Sequence, residues 1–294
     1  MEIRKNSTIA KYEAQLRNHI IPNFGDKRID EIKNEDLMAF CNNLFSKRRK
    51  KKLSPKTISD ILSRMASIRK FALFNGYEVK YFTKCITLPQ KTEKIRILSS
   101  REEIRLIKYL KSHLDPSNLG ILLCLFTGLR IGELCALKWS DFSFEEQEIR
   151  VQRTMQRLRN LDGKTKTHIE IGKPKSQTSI RTIPIPDDIM KLLRSTQVEG
   201  AFLLSGHSKY FIEPRTMENR FKSILKKCGI EQMNFHALRH TFATRCIELG
   251  FDVKSLSEIL GHASVNITLN RYVHPSMKLK RENMNKLSEL FAVK

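Results

Sequence analysis

Five residues suited to handling a phosphate ester, Arg130, His236, Arg239, His262 and Tyr272, stand far apart along the chain. Any fold that uses them together must bring four segments to one place: Thr127-Gly128-Leu129-Arg130, His236-Ala237-Leu238-Arg239, Leu260-Gly261-His262 and Arg271-Tyr272. A phosphodiester carries one negative charge and gains roughly another in its pentacoordinate transition state, spread over oxygens that must be held while the in-line bond changes. Arginine suits that task, because its planar fork donates two hydrogen bonds to neighbouring oxygens and stays protonated, so Arg130 and Arg239 can clamp one phosphate from two sides. A phenol with an ordinary pKa of about 10 is a weak nucleophile until cations favour its charge or a base accepts its proton. The set therefore suits attack by the Tyr272 oxygen on a phosphodiester. The leaving 5′ oxygen then needs a proton, and Lys175 is the candidate donor, with Lys173 a weaker rival.

Local patterns place these residues. The spacing His236-x-x-Arg239 puts both side chains on one helical face. Downstream, an apolar run ends at Ile259-Leu260-Gly261, where glycine reads as a helix C-cap, and a short helix over 264–270 would carry Tyr272 back toward His262. Lys175 lies in a turn before an alternating, β-branched run over 180–185, which predicts a place at the tip of a hairpin. Ile149-Arg150-Val151 alternates as another strand, and 214–229 reads as a helix closed by glycine. Earlier helices are expected over 9–20 and 34–45, and 276–294 as a helix with Met284, Leu287 and Phe291 on one stripe, closing its own domain or docking on a neighbour.

Charge points to the partner. A formal charge of +23 and a pI near 9.9 favour a polyanion, because a basic surface releases the counterions condensed on nucleic acid. An acidic membrane could use the same charge, but the chain has no apolar run of about eighteen residues, no amphipathic anchor and no lipidation signal. The excess peaks at Lys47-Arg48-Arg49-Lys50-Lys51-Lys52, just before Ser54-Pro55, which reads as a helix start. After it Ile58, Ile61, Met65, Ile68 and Phe71 form one stripe, with Lys56, Arg64 and Lys70 off it. Arg48, Arg49, Lys50, Lys51, Lys52, Lys56, Arg64 and Lys70 are the candidate DNA contacts, the alternative for the basic run being a solvated loop.

Several other classes fall away. His236 and His240 have the spacing of two zinc ligands, but Ala237 stands where a zinc protease needs glutamate, so His240 reads as a packing or supporting residue. Asp141, Glu145, Glu146 and Glu148 read as a solvated loop or strand edge, not as converging metal ligands. No nucleotide-binding loop is present, and no cofactor is expected. Six scattered cysteines without a C-x-x-C fit reduced, mostly buried thiols in a cytoplasm. Each site residue has an ordinary structural explanation when taken singly; Arg130 and Glu133, for instance, would make a helical ion pair. Their joint order and context favour the catalytic reading.

Those motifs resemble the tyrosine recombinase (phage integrase) family, which carries an arginine in T-G-x-R-x-x-E-L, a hairpin lysine, an H-x-x-R pair, a G-H and a tyrosine shortly after. Here they are Thr127 to Leu134, Lys175, His236 with Arg239, Gly261-His262, and Tyr272. Ser7 to Tyr12 and His19 to Gly25 look like the opening of the family's core-binding domain, so the resemblance covers nearly the whole chain. It implies a mainly α fold with a small β-sheet: a helical, SAM-like core-binding domain over 1–88, a linker over 89–98, and a mixed α/β catalytic domain over 99–294 with a tail helix. It implies a site-specific DNA recombinase working through a 3′-phosphotyrosine link, as a tetramer on two double-stranded DNA sites, with an accessory DNA-bending or directionality factor as a further partner. Integration or excision of a mobile element is the expected role; Xer-like dimer resolution, DNA inversion and a non-catalytic DNA-binding regulator are the alternatives. The expected location is the cytoplasm, with the nucleoid. The chain opens directly at the core-binding segment, without the further small domain that many of the family's integrases carry for arm-type sites, which argues against a large directional complex on distant arm sites and leaves open a simpler recombinase or a natural short form.

Overall fold

A computed structural model describes residues 6–45, 53–83, 86, 88, 96–160, 167–174, 176–273, 280, 281, 284 and 285. The chain divides into two compact units, one of Met1–Lys94 with Leu158–His168 and one of Ile95–Arg157 with Ile169–Lys294. The fold is mainly α with small β-sheets.

In the first unit, α1 (Asn6–Gln15) widens into a π-helical turn (Leu16–Ile20) before the short α2 (Ile21–Phe24). The cause is Pro22, which has no N–H to donate and whose ring crowds the carbonyl four residues back. Helix α3 (Asn34–Phe45) and helix α4 (Pro55–Phe74) complete the unit. Ser54 caps α4 by accepting from the Thr57 amide at 3.1 Å, with Pro55 at the first turn. Ile58, Ile61 and Met65 pack in a core with Leu37, Phe40 and Leu44. The expected stripe holds through Ile68, partly buried against this core, but Phe71 is 70% exposed and Ala72 is buried in its stead. The buried face steps from Met65 to Ala72, seven residues on, which turns Phe71 off it.

In the second unit, α5 (Ser100–Ser112) starts with a capping box between Ser99 and Glu102, and α6 (Pro116–Thr127) is buried almost all round, as a helix apolar on every side must be. After α7 (Ile131–Ala136) come β1 (Phe142–Ser143), β2 (Glu148–Val151), β3 (Thr154–Arg159), β4 (Thr167–Gly172) and β5 (Arg181–Pro184), with residues 158–159 of β3 and 167–168 of β4 falling in the first unit. Strands β1, β2 and β5 form an antiparallel sheet in that order, with Ile149 opposite Ile183 and both buried, while β3 and β4 pair separately. Helices α8 (Asp187–Arg194), α9 (Pro214–Lys227), α10 (His236–Glu248), α11 (Val253–Leu260) and α12 (Val265–Tyr272) follow.

Some expectations need correction. The turn before β5 predicts a hairpin tip at Lys175, but β4 pairs with β3 and β5 with β2, so the segment between them links two sheets through a 3-10 turn at Gln177–Ser179. Lys175 itself lies outside the described residues. Asp141 is buried rather than solvated, because Lys138 N and Gln152 Nε2, each at 2.9 Å, and the Arg153 guanidinium satisfy its carboxylate. The helix expected over 264–270 runs to Tyr272 itself, with Ser264 as its cap. Of the tail, Leu287 and Phe291 lie outside the described residues. Among the described residues no helix is long and apolar enough to cross a membrane, and no group of three or more histidine, cysteine or acidic side chains could hold a metal ion.

Candidate active site

The end of α11 organises the site. A helix leaves its last carbonyls unpaired and partly negative, which suits cations. Here three successive carbonyls each take a different guanidinium: Ile259 O accepts from Arg181 Nε at 2.5 Å, Leu260 O from Arg239 at 2.7 Å and Gly261 O from Arg130 at 3.1 Å. Gly261 ends the helix in the left-handed conformation, at φ +62°, and a Cβ there would lie 3.0 Å from both the Thr178 carbonyl and the Arg181 side chain. Arg239, only 2% exposed, also donates to Gly128 O at 2.9 Å, the carbonyl that closes α6. Gly128 is equally constrained, with φ +65° and Phe242 2.6 Å from where a Cβ would stand.

Glu133 ties two of these arginines together. Its carboxylate caps α7 by accepting from the Arg130 amide at 3.0 Å and accepts from the Arg130 guanidinium at 2.7 Å and from Arg181 at 3.0 and 3.1 Å. Burial opposes its charge most strongly, but hydrogen bonds and charge from Arg181, and then Arg130, outweigh it and hold the carboxyl below its ordinary range. Arg239 is pulled down to about 9, by burial first and Arg130 next, and stays charged at neutral pH.

The imidazoles stand against this cationic wall. His236 opens α10, and its pKa falls to about 4 through burial and then Arg239, Arg271 and Arg130. His236 lies at the open edge of the site, where solvent weakens that pull. His262 falls to about 3 for the same reasons, burial first and Arg239 next, and its Nδ1 is paired with the buried Thr268 hydroxyl at 2.8 Å. His240 falls to about 4 through burial, His236, Arg271 and Arg239. All three are neutral at pH 7, so the positive field comes from the guanidiniums.

Tyr272, at the end of α12, is 8% exposed. Ala243, Cys246, Leu256 and Leu260 pack with it, while its hydroxyl lies 2.7 Å from His240 Nδ1. Its ring is parallel to that of His262, 6° between planes with centroids 6.4 Å apart. Burial raises the phenol pKa above its ordinary value, against the opposing pull of Arg239, Arg271 and Arg130. The phenol is therefore a protonated donor in the DNA-free protein.

Arg130, His236, Arg239, His262 and Tyr272 thus share one electrostatic neighbourhood, as four separate segments had to. Of the expected DNA contacts, Arg48, Arg49, Lys50, Lys51 and Lys52 lie outside the described residues. Lys56 is exposed and pairs with Asp60 at 3.3 Å, and Lys70 is exposed. Arg64 lies 3.3 Å from the centre of the Tyr12 ring, a contact the helical stripe does not foretell. Three further features of the site have no counterpart in the sequence reading: Arg181, Thr268 and the hydrogen-bonding role of His240. Arg181 carries a faint signal, as a charge opening an otherwise apolar alternation; Thr268 carries none.

Comparison with known proteins accords with this geometry. Residues 96–278 match the model of the phage integrase family, and residues 4–45 match the phage integrase N-terminal SAM-like domain. A tyrosine recombinase XerC-like protein of Caldanaerobacter subterraneus subsp. tengcongensis is 33% identical, over 98% of this chain and 79% of its own. Tyrosine recombinase XerA of Pyrococcus furiosus is 28% identical, over 95% and 98% of the two chains. Among solved structures, the Tn1549 transposon integrase in complex with transposon right end DNA superposes with a TM-score of 0.76 at 25% identity, over 98% of this chain and 95% of that one.

Proposed function

Because the chain belongs to the phage integrase family of tyrosine recombinases, we propose that Tyr272 is the nucleophile with which it cuts and rejoins double-stranded DNA. The phenol oxygen attacks the scissile phosphorus, the P–O5′ bond breaks, and a 3′-phosphotyrosine link and a 5′ hydroxyl result. The phenol loses its proton and the departing oxygen gains one. A 5′ hydroxyl from a partner strand reverses these steps, so the bond energy is kept and no nucleotide cofactor is consumed.

One observation carries this reading: a phenol set among guanidiniums that are themselves anchored to one helix end. Arg130 and Arg239 each commit one donor to that helix end and one elsewhere, to Glu133 and to Gly128 O respectively, out of the five a guanidinium carries, so donors remain for two phosphate oxygens. Neutral His236 and His262 can each offer an N–H to the same oxygens. We assign proton donation to the leaving oxygen to Lys175. Helices of residues 1–88 would grip the duplex, with Arg48 to Lys52, Lys56, Arg64 and Lys70 as phosphate contacts, 89–98 as linker and 99–294 as the catalytic domain. Exchange between two duplexes cuts four strands, one tyrosine each, which calls for a tetramer on two sites.

The likeness to a transposon integrase along almost the whole chain favours integration or excision of a mobile element, acting on nucleoid DNA in the cytoplasm, with a DNA-bending or directionality factor as helper. The XerC-like relative supports a second reading, dimer resolution by the same chemistry. Relaxation of supercoiled plasmid in excess chelator tests the chemistry on any plasmid, whatever the recombination site. Relaxation by the wild type and none by Arg239→Ala is expected; dependence on a divalent metal would overturn the assignment. An attachment site beside the gene, as against a chromosomal dimer-resolution site, then separates the two roles.

A further inference from the structure

The sequence alone gives His240 a packing or supporting place, yet its imidazole meets the Tyr272 hydroxyl, Nδ1 to Oη at 2.7 Å, while the neighbouring Arg271 side chain donates to the same oxygen. Direction follows from the surroundings. Facing His240 are His236 and Arg239 on its own helix and Arg271 and Tyr272 on α12; burial first, and then the His236 ring and the Arg271 and Arg239 guanidiniums, keep the imidazole neutral. The phenol is protonated. With Arg271 donating to the phenol oxygen, the O–H is left to donate to an unprotonated Nδ1, and the imidazole proton sits on Nε2, beside the His236 ring whose centroid is 4.5 Å away, edge to face. An imidazole at about 4 is too weak a base to take that proton outright from a phenol raised above its ordinary value. Its contribution is geometric.

Position along the chain supplies the reason this matters. His240 follows Arg239 directly and stands one helical turn after His236. One rigid helix therefore carries the phosphate clamp and the acceptor for the attacking hydroxyl, so the distance between nucleophile and phosphorus is set within a single element. Resting on Tyr272 as nucleophile, we propose that His240 is a positioning residue for this reaction: its Nδ1 receives the phenol hydrogen bond and holds the tyrosine on α12 in register with the phosphate clamp on α10.

The test uses the full chain and a nicked suicide duplex carrying the site mapped from DNA flanking the gene. The Oδ1 of asparagine sits as many bonds from Cα as Nδ1, so His240→Asn keeps an acceptor where His240→Leu does not. His240→Leu should form the covalent complex about a hundredfold more slowly, with unchanged melting temperature and DNA affinity, and His240→Asn should recover most of that rate. Wild-type speed in His240→Leu, or equal loss in both variants when both are folded, would overturn the proposal. Imidazole 15N spectra of the wild type and Tyr272→Phe give a reading that needs neither a stable His240 variant nor cleavage. An Nε2–H tautomer whose Nδ1 resonance moves in Tyr272→Phe is expected; a protonated Nδ1, or no movement, would overturn the proposal. If the wild type forms no covalent complex, the reading of Tyr272 as nucleophile fails, while the spectra still decide whether His240 holds the phenol.

Discussion

Replacing Glu133 by glutamine should cost both stability and cleavage. The carboxylate is 2% exposed and accepts one hydrogen bond from the Arg130 amide, one from its guanidinium and two from Arg181. Glutamine keeps the shape but offers one acceptor oxygen, and turns its NH2 toward guanidinium donors. Stranding a charge by removing one partner of a buried pair costs about 3–5 kcal/mol. The Arg181 side chain is 6% exposed, whereas that of Arg130 is 34% exposed and partly rescued by water, so the lower end, about 3 kcal/mol, is the expectation. For a domain of this size that is a fall of roughly 6–12 °C in melting temperature. Arg130 would also lose half of its anchoring, slowing covalent-complex formation by about a hundredfold. The pH dependence gives an internal control. The native carboxyl titrates below its unfolded value, so its contribution is complete above about pH 4.3 and is lost as pH falls through the native pKa. Paired thermal melts at pH 7 and in steps below about pH 4.5 read this directly. A variant melting within a degree or two of wild type at pH 7, or a gap that does not narrow in acid, would refute the reasoning.

Gly261→Ala should be destabilised by about 1–2 kcal/mol from its left-handed backbone alone, with added loss of cleavage because the neighbouring arginines share that turn; unchanged melting and activity would contradict the anchoring role. His236, His240 and His262 have native pKa values of about 4, 4 and 3 against about 6.5 unfolded. The unfolded chain then binds more protons between about pH 6.5 and 4, so stability should fall as pH drops through that window, the smallest share coming from solvent-edged His236. Imidazole NMR titrations with midpoints near about 6.5 would contradict it. Lys175→Ala should slow cleavage of an ordinary phosphodiester far more than that of a substrate whose leaving atom is a 5′ sulfur, which needs no proton; equal loss on both would remove Lys175 from the acid role.

Much of the site is legible in the sequence because its parts carry local signatures. Gly261 after an apolar run announces a helix end, His236-x-x-Arg239 announces a shared face, and Ser54-Pro55 announces the start of α4. What stays hidden depends on tertiary partners. Nothing local shows that Arg181, Arg239 and Arg130 would be shared among consecutive carbonyls of α11, or that His240 would meet Tyr272 across two helices. Phe71 and Ala72 both lie within a turn of Ile68, and period cannot report which of them the core takes; it buries Ala72 and leaves Phe71 exposed. Strand pairing fails likewise: alternation identifies the strand after Lys175 but not that β2, rather than β4, is its neighbour.

The most direct test is to trap the protein on a nicked suicide duplex, digest the denatured adduct and locate the DNA-bearing residue by mass spectrometry. A 3′-phosphate ester on the oxygen of Tyr272, with no adduct in Tyr272→Phe, is the predicted result. An adduct on any other side chain, or one that survives Tyr272→Phe, would contradict it.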